Sequence, residues 1–311
     1  MIETKSLTKK YGELIALNNL NLEVQEGECV GFIGPNGAGK TTTIKILATL
    51  LRPSWGEARI NGLSVGPVNA REVRRMIGYV PDYFGVYEGM VTTEYLEFFA
   101  ANYGIHGADR KNIVRDVLDL TDLSTKAEDD VNGLSRGMKQ RLSVARVLLH
   151  DPKVLLLDEP ASGLDPRARI EMRELLKELH RMGKTILISS HILLELADLV
   201  SSVVIIEKGQ MRFTGTINEI LSRAKGGEGT GYQIKVVSRY ADAENTLQNT
   251  PGVLEVKRED SVISIRIDDQ RTGPDQIAAA LVNGGFALAG LEQEQVNLET
   301  AFMRLTKSLV Q

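Results

Sequence analysis

Gly34-Pro35-Asn36-Gly37-Ala38-Gly39-Lys40-Thr41 decides the reading of this chain. The octapeptide has the G-x-x-x-x-G-K-[ST] pattern, and its flanks are the ones the pattern needs. A short apolar run, Cys29-Val30-Gly31-Phe32-Ile33, stands before it, and a helical stretch, Thr42-Thr43-Ile44-Lys45-Ile46-Leu47, follows. Glycine permits positive φ with no Cβ in the way, so successive amide N–H groups can curl around an anion. The N-terminus of the following helix adds partial positive charge. Placed there, Lys40 reaches the β- and γ-phosphates of a nucleotide, and the Thr41 hydroxyl meets Mg²⁺. Kinases and GTPases share such a loop, so alone it specifies only a nucleotide site.

Further along the chain, Val154-Leu155-Leu156-Leu157-Asp158-Glu159-Pro160 is a second apolar run, ending in two adjacent carboxylates. Strand alternation points neighbouring side chains in different directions, so the two suit different tasks. Asp158 is expected to hold Mg²⁺, directly or through its water shell, and Glu159 to orient and deprotonate an attacking water. The C-terminal edge of a parallel sheet is where such folds bind ligands. Two more apolar runs, Thr185-Ile186-Leu187-Ile188 and Val203-Val204-Ile205-Ile206, complete a set of strands buried on both faces. His191 follows one of them, where a side chain can touch a γ-phosphate and keep Glu159 in register. His106, His150 and His180 read as surface or structural residues.

Alternation at Leu20, Leu22 and Val24 predicts half-exposed strands in residues 1–30. Residues 88–150 have helical spacing, with Leu142, Ala145, Leu148 and Leu149 on one face. A helix over 166–182 has Asp165 as N-cap, Pro166 in its first turn, Gly183 after its end and a buried stripe of Leu175, Leu176, Leu179 and Met182. Residues 1–222 are therefore expected to form one domain, and the glycine-rich stretch 223–231 a linker. Residues 232–311 show β-α-β-β-α-β order, which suggests a small ferredoxin-like α+β domain ending in an amphipathic helix with Leu298, Phe302, Leu305 and Leu309.

Of 311 residues, 42% are hydrophobic and 25% charged, with 37 Lys and Arg against 41 Asp and Glu. The net charge of −4 disfavours nucleic acid as a partner. The single cysteine, Cys29, allows no internal disulfide and reads as a small buried side chain. The opening MIETKSLTKKYGE lacks the apolar stretch of a signal peptide, and nowhere do about 18 apolar residues run together. A membrane role is expected to come through a partner.

These motifs, in this order, resemble the ATP-binding cassette (ABC) ATPase family. Leu134-Ser135-Arg136-Gly137-Met138-Lys139-Gln140-Arg141 is similar to the family signature, usually Leu-Ser-Gly-Gly-Gln, and Ser162-Gly163-Leu164-Asp165 matches the loop after the second carboxylate. Tyr11 stands where the family stacks an aromatic ring on adenine. The resemblance implies an α/β P-loop NTPase fold: a RecA-like core with an antiparallel β subdomain and a helical subdomain. It also implies ATP and Mg²⁺ as ligands, with ATP contacting Tyr11, residues 34–42 (Thr42 included) and, in trans, Ser135, Arg136 and Gly137 of a second copy. Membrane-spanning permease subunits would complete the machine, with this chain cytoplasmic and peripheral on the inner face of the membrane. Ser135 suits this for a plain reason: as an N-cap it starts a helix whose amide dipoles face whatever lies ahead.

Three positions depart from the family. Arg136 and Met138 replace glycine and glutamine in the signature; the arginine either adds charge opposite the phosphates or points to solvent. Asp82 stands where the family has a glutamine that contacts metal or water and senses the membrane partner; aspartate is shorter, yet it can still approach Mg²⁺. The tail Val296–Met303 resembles cassettes of bacterial export systems. A transporter's energy subunit is the first expectation. A soluble non-transport ABC ATPase and a weakly hydrolysing nucleotide-gated regulator are the alternatives.

Overall fold

The computed structural model describes residues 1–83, 85–87, 89–224 and 229–293. The expected terminal helix with Leu298, Phe302, Leu305 and Leu309, the tail 296–303, and residues 225–228 of the expected linker lie outside them. In chain order the first part runs β1 (Ile2–Tyr11), β2 (Leu14–Val24), β3 (Cys29–Ile33), α1 (Lys40–Leu47), β4 (Trp55–Ile60), β5 (Leu63–Ser64), α2 (Ala70–Met76) and β6 (Ile77–Val80). The helical segment follows as α3 (Thr92–Asn102), α4 (Gly107–Leu120) and α5 (Arg136–Leu148). Then come β7 (Val154–Leu157), α6 (Pro166–Arg181), β8 (Thr185–Ser190), β9 (Ser202–Glu207), β10 (Gln210–Gly215) and α7 (Ile217–Ala224). The chain divides into two compact units, the first Met1–Ile217 and the second from Asn218 onward. The division falls a few residues before the expected boundary at 222.

The apolar runs form the middle of a six-stranded sheet of order β10-β9-β3-β8-β7-β6, parallel throughout except for β10 at one edge. All residues of β3, β7 and β8 are buried, as strands covered on both faces must be. Cys29 is among them, and burial pushes its thiol up to about 12. The half-exposed strands make an antiparallel sheet of order β2-β1-β4-β5. Leu17, Leu20, Leu22 and Val24 of β2 share one core with Ile44 and Leu47 of α1 and Leu156 and Leu187 of the central sheet. The phosphate loop is thereby held between two sheets. Helices α3, α4 and α5 pack together as a third group, with Leu142, Ala145, Leu148 and Leu149 all buried.

Helix α6 starts as its sequence predicts: Asp165 Oδ1 accepts from the Ala168 N–H at 2.9 Å, and Pro166 is in the first turn. Its buried stripe differs from expectation. Ala168 and Met172 join Leu175, Leu176 and Leu179, while Met182 is 54% exposed. Met182 is the C-cap, one residue before the Gly183 turn, and there the helix has solvent beside it.

After α7, all but the first residue of which belong to it, the second unit continues as β11 (Thr230–Val236), α8 (Tyr240–Gln248), β12 (Val253–Glu259), β13 (Val262–Ile267), α9 (Pro274–Asn283) and β14 (Leu288–Gln293). It forms an antiparallel sheet of order β12-β13-β11-β14. Period-two alternation turns Ile263, Ile265 and Ile267 inward against Leu247, Ile277 and Leu281 of the two helices. No helix among the described residues is long and apolar enough to cross a membrane.

Candidate functional site

Sheet order brings the motifs together. The C-terminal ends of β3, β8, β7 and β6 lie side by side and lead into Gly34, His191, Asp158 and Asp82 respectively. Residues far apart in sequence thus meet at one edge, where a doubly wound sheet leaves a crevice. A cleft of about 410 Å³ opens there; Tyr11, residues 36–42, Asp82, Glu159, Ser162 and His191 line it.

The loop between β3 and α1 follows the sequence reading closely. Gly37 and Gly39 take φ of 79° and 110°. A Cβ on Gly39 would lie 2.6 Å from Leu17 Cδ2 and 2.8 Å from the Ala16 carbonyl oxygen. Gly39→Ala is therefore expected to cost about 2 kcal/mol of stability and to reduce the rise in Tm that nucleotide produces, both measurable by thermal unfolding with and without ATP. Lys40 is buried, and its ammonium donates to the carbonyls of Gly34 (2.6 Å) and Pro35 (3.2 Å). The same nitrogen lies 3.2 Å from Glu159 Oε1.

Glu159 has a second partner. Its Oε2 lies 2.7 Å from His191 Nδ1. An ionised carboxylate only accepts, so the imidazole donates from that nitrogen. Glu159 itself has φ of 50°, a left-handed backbone unusual for a non-glycine residue. That turn lifts its side chain off the line of β7, and Ser189 supports it: the buried hydroxyl at the end of β8 accepts from the Glu159 N–H at 2.9 Å.

The Ser189 hydroxyl also donates to Asp158 Oδ1 at 2.8 Å, and the Thr41 hydroxyl donates to the same oxygen at 3.1 Å. Burial pushes the Asp158 carboxyl above the usual carboxylate range; the two hydroxyls pull it back, while Asp82 and Glu159 push it further up. Tyr79, on β6, is pushed up to about 12 by burial and then by Asp158 and Asp82. Among the described residues, three carboxylates thus crowd one corner against the ammonium of Lys40. Hard oxygens from Thr41, Asp158 and Asp82 suit Mg²⁺, which binds through one or two carboxylates plus phosphate and water rather than in an all-protein cage.

Comparison with known proteins gives the family. The ABC transporter family model matches residues 17–162. The Nod factor export ATP-binding protein I of Burkholderia lata is 35% identical over 307 residues, 98% of this chain and 96% of its own length. The chain belongs to the ABC transporter family of ATP-binding proteins. A bacitracin transport ATP-binding protein of Bacillus licheniformis is 42% identical over 212 residues, 68% of each protein. Among solved structures, a dimeric ATP-binding cassette in a post-hydrolysis state with ADP and Pi is similar with a TM-score of 0.63 and 29% identity, over 70% of this chain and 98% of that one. The CbiO1 cassette of Clostridium perfringens gives 0.65 and 26%, over 72% and 94%. As an ABC ATPase the chain binds and hydrolyses ATP.

Not every residue singled out in the sequence of this ABC ATPase meets in the cleft. Ser135 caps α5, accepting from the Met138 N–H at 3.3 Å, and with Gly137 it lines a separate cleft beside Arg141, Asp165 and Glu171. Arg136 is exposed and reaches across to a loop of its own chain. Its Nη2 donates to the Ser162 carbonyl of its own chain at 3.0 Å. The physical reason is reach: at the first position of α5 its side chain spans to the loop that follows Glu159. Tyr11, at the end of β1, is 46% exposed with the Lys9 ammonium 5.1 Å above its ring. His150 Nε2 lies 2.9 Å from the Ile77 carbonyl oxygen and His180 Nε2 2.9 Å from that of Gly27.

Ser189 was missed. A serine directly after the buried apolar run Ile186-Leu187-Ile188 is the signal that marks it, since a hydroxyl there needs a partner. Ser189→Ala is expected to lower kcat about tenfold with little change in KM for ATP, and to reduce stability by about 1–3 kcal/mol by leaving the Glu159 N–H without its acceptor. Steady-state ATPase and urea unfolding read the two effects separately.

Proposed function

We propose that this chain is the energy subunit of a membrane exporter, in which two copies clasp ATP head to tail and pull on separately encoded membrane-spanning permease subunits. The observation that carries this reading is the division of the site. Lys40, Asp158, Glu159 and His191 converge at one crevice, whereas the amide dipoles at the Ser135 cap belong to another surface of the same chain. A second copy brings that helix start to the γ-phosphate. Support for the dimer comes from the dimeric cassettes among its structural neighbours, and support for export from relatives named for Nod factor export and bacitracin transport.

In the working site Tyr11 stacks on adenine, and residues 34–42 wrap the phosphates. Thr41 and Asp158 would hold Mg²⁺, with Asp82 beside them; the ion would screen the charge of the β- and γ-phosphate oxygens. Lys40 swings from its loop carbonyls to the phosphates. Glu159, oriented by His191 and seated by Ser189, draws the proton from a water placed in line with the γ-phosphate. Ser135 and Gly137 of the other copy absorb developing charge through the start of α5. Residues 1–222 act as the ATPase domain, 223–231 as linker and 232–311 as a ferredoxin-like accessory domain, with the subunit peripheral on the inner face of the membrane.

The test is purification from membranes with the permease still attached. A polytopic membrane protein retained through size exclusion, together with steady-state ATPase activity of the complex, is the expected result. A chain that hydrolyses ATP yet never associates with membrane protein is a soluble ABC ATPase instead. One that binds ATP without turnover is a nucleotide-gated regulator.

A further inference from the structure

We infer that Arg136 is a positioning residue that couples the two ATP sites of the dimer: its guanidinium fastens the start of α5, which faces the partner copy's nucleotide, to the Ser162–Gly163 loop, which follows this chain's own Glu159. The inference rests on the head-to-tail reading and adds to it a path between the sites.

The path is short. Arg136 is the first residue of α5, directly after the Ser135 cap. Its Nη2 donates to the Ser162 carbonyl at 3.0 Å. Ser162 in turn donates its N–H to the Glu159 carbonyl at 3.0 Å and lines the nucleotide cleft. Two hydrogen bonds therefore connect the helix start that serves one site with the general base that serves the other. The guanidinium also covers Gly163, whose φ is 64°: a Cβ there would lie 2.6–2.7 Å from Cζ, Nη1 and Nη2. Beneath this contact the first turns of α5 and α6 touch, since a Cβ on Gly137 would lie 2.6 Å from that of Ala168. A shift of the α5 start cannot leave the 159–165 loop where it was.

Chemistry explains why arginine is needed. Glycine at this position would leave the Ser162 carbonyl to water alone, and lysine would supply a donor but no plane to cover Gly163. The link is exposed to water in a single chain, so solvent competes for both partners. When a second copy covers the helix start, that competitor is expelled and the hydrogen bond strengthens. Closure on one nucleotide thus stiffens the loop that holds the base for the other.

The experiment is steady-state ATPase against ATP concentration for the wild type, Arg136→Gly, Arg136→Lys, Gly163→Ala and the double variant Arg136→Gly/Gly163→Ala. The wild type is expected to depend sigmoidally on ATP; Arg136→Gly is expected to lower kcat about tenfold, to leave KM within about twofold, and to flatten that dependence. Arg136→Lys recovers only part of the rate. Gly163→Ala costs activity in the wild type and about threefold less once Arg136 is gone, because the group it collides with has been removed. A rise in KM that lysine reverses would make Arg136 a phosphate ligand and overturn the coupling; equal costs of Gly163→Ala in both backgrounds would do the same. Gel filtration of Glu159→Gln with saturating ATP, alone and with Arg136→Gly, separates the two levels. A monomer in both brings down the head-to-tail reading and the coupling with it. Dimers in both, with wild-type kcat and cooperativity in Arg136→Gly, bring down the coupling alone.

Discussion

Replacing Glu159 by glutamine is expected to slow ATP hydrolysis by about a hundredfold or more, equivalent to ~3 kcal/mol of barrier, while ATP still binds. Glutamine keeps the length and shape of the side chain, and its amide oxygen can still accept from Lys40, which lies 3.2 Å from Glu159 Oε1. It cannot take a proton from water. The His191 contact at 2.7 Å changes as well, because an amide N–H now faces a ring nitrogen that was itself donating. The nucleotide loop is untouched, so binding survives and the ATP-closed dimer accumulates. Phosphate release in the steady state measures the first effect, and gel filtration with ATP the second. Wild-type turnover in this variant would remove Glu159 from the mechanism.

Lys40→Ala is expected to be more severe, lowering kcat/KM by about a thousandfold, or ~4 kcal/mol. Its side chain is 5% exposed, already taken out of water by the loop around it. The cost of burial is therefore met before ATP arrives, and transfer of the ammonium from the Gly34 and Pro35 carbonyls to phosphate exchanges neutral acceptors for charged ones. Alanine forfeits that exchange. Folding should change little by comparison, so unfolding of Lys40→Ala stays cooperative while the ATP-induced rise in Tm disappears. Lys40→Arg should fail too, because a planar fork does not fit a slot shaped to a compact ammonium. Retention of the nucleotide-induced Tm shift in Lys40→Ala is the result that would contradict this account.

How much could be read in the sequence depended on whether the physics was local. The glycine loop, the buried apolar strands and the Asp165 cap each act over a few residues, and each stands in the structure where its pattern predicts it. That Asp158 and His191 lie at the nucleotide edge was legible from their places after buried strands, and Asp82 only as a family likeness; which strands stand side by side is strand order, which no local pattern encodes. Ser189 escaped because its importance lies in partners thirty residues away in sequence. Arg136 was legible as a departure but not as a contact, for the Ser162 carbonyl is reached only after α5 and α6 have packed. Met182 had the right spacing for the buried stripe, and the helix ran beyond the core it covers.

The ion pair between Lys40 and Glu159 has a consequence for a cell that must not waste fuel. In the proposed cycle Glu159 would be engaged by the very cation that a triphosphate would claim, so a stray water in the crevice would find its proton acceptor occupied. Arrival of fuel would draw the cation away and release the base in the same motion. The catalyst would then be armed by what it consumes, with no separate guard.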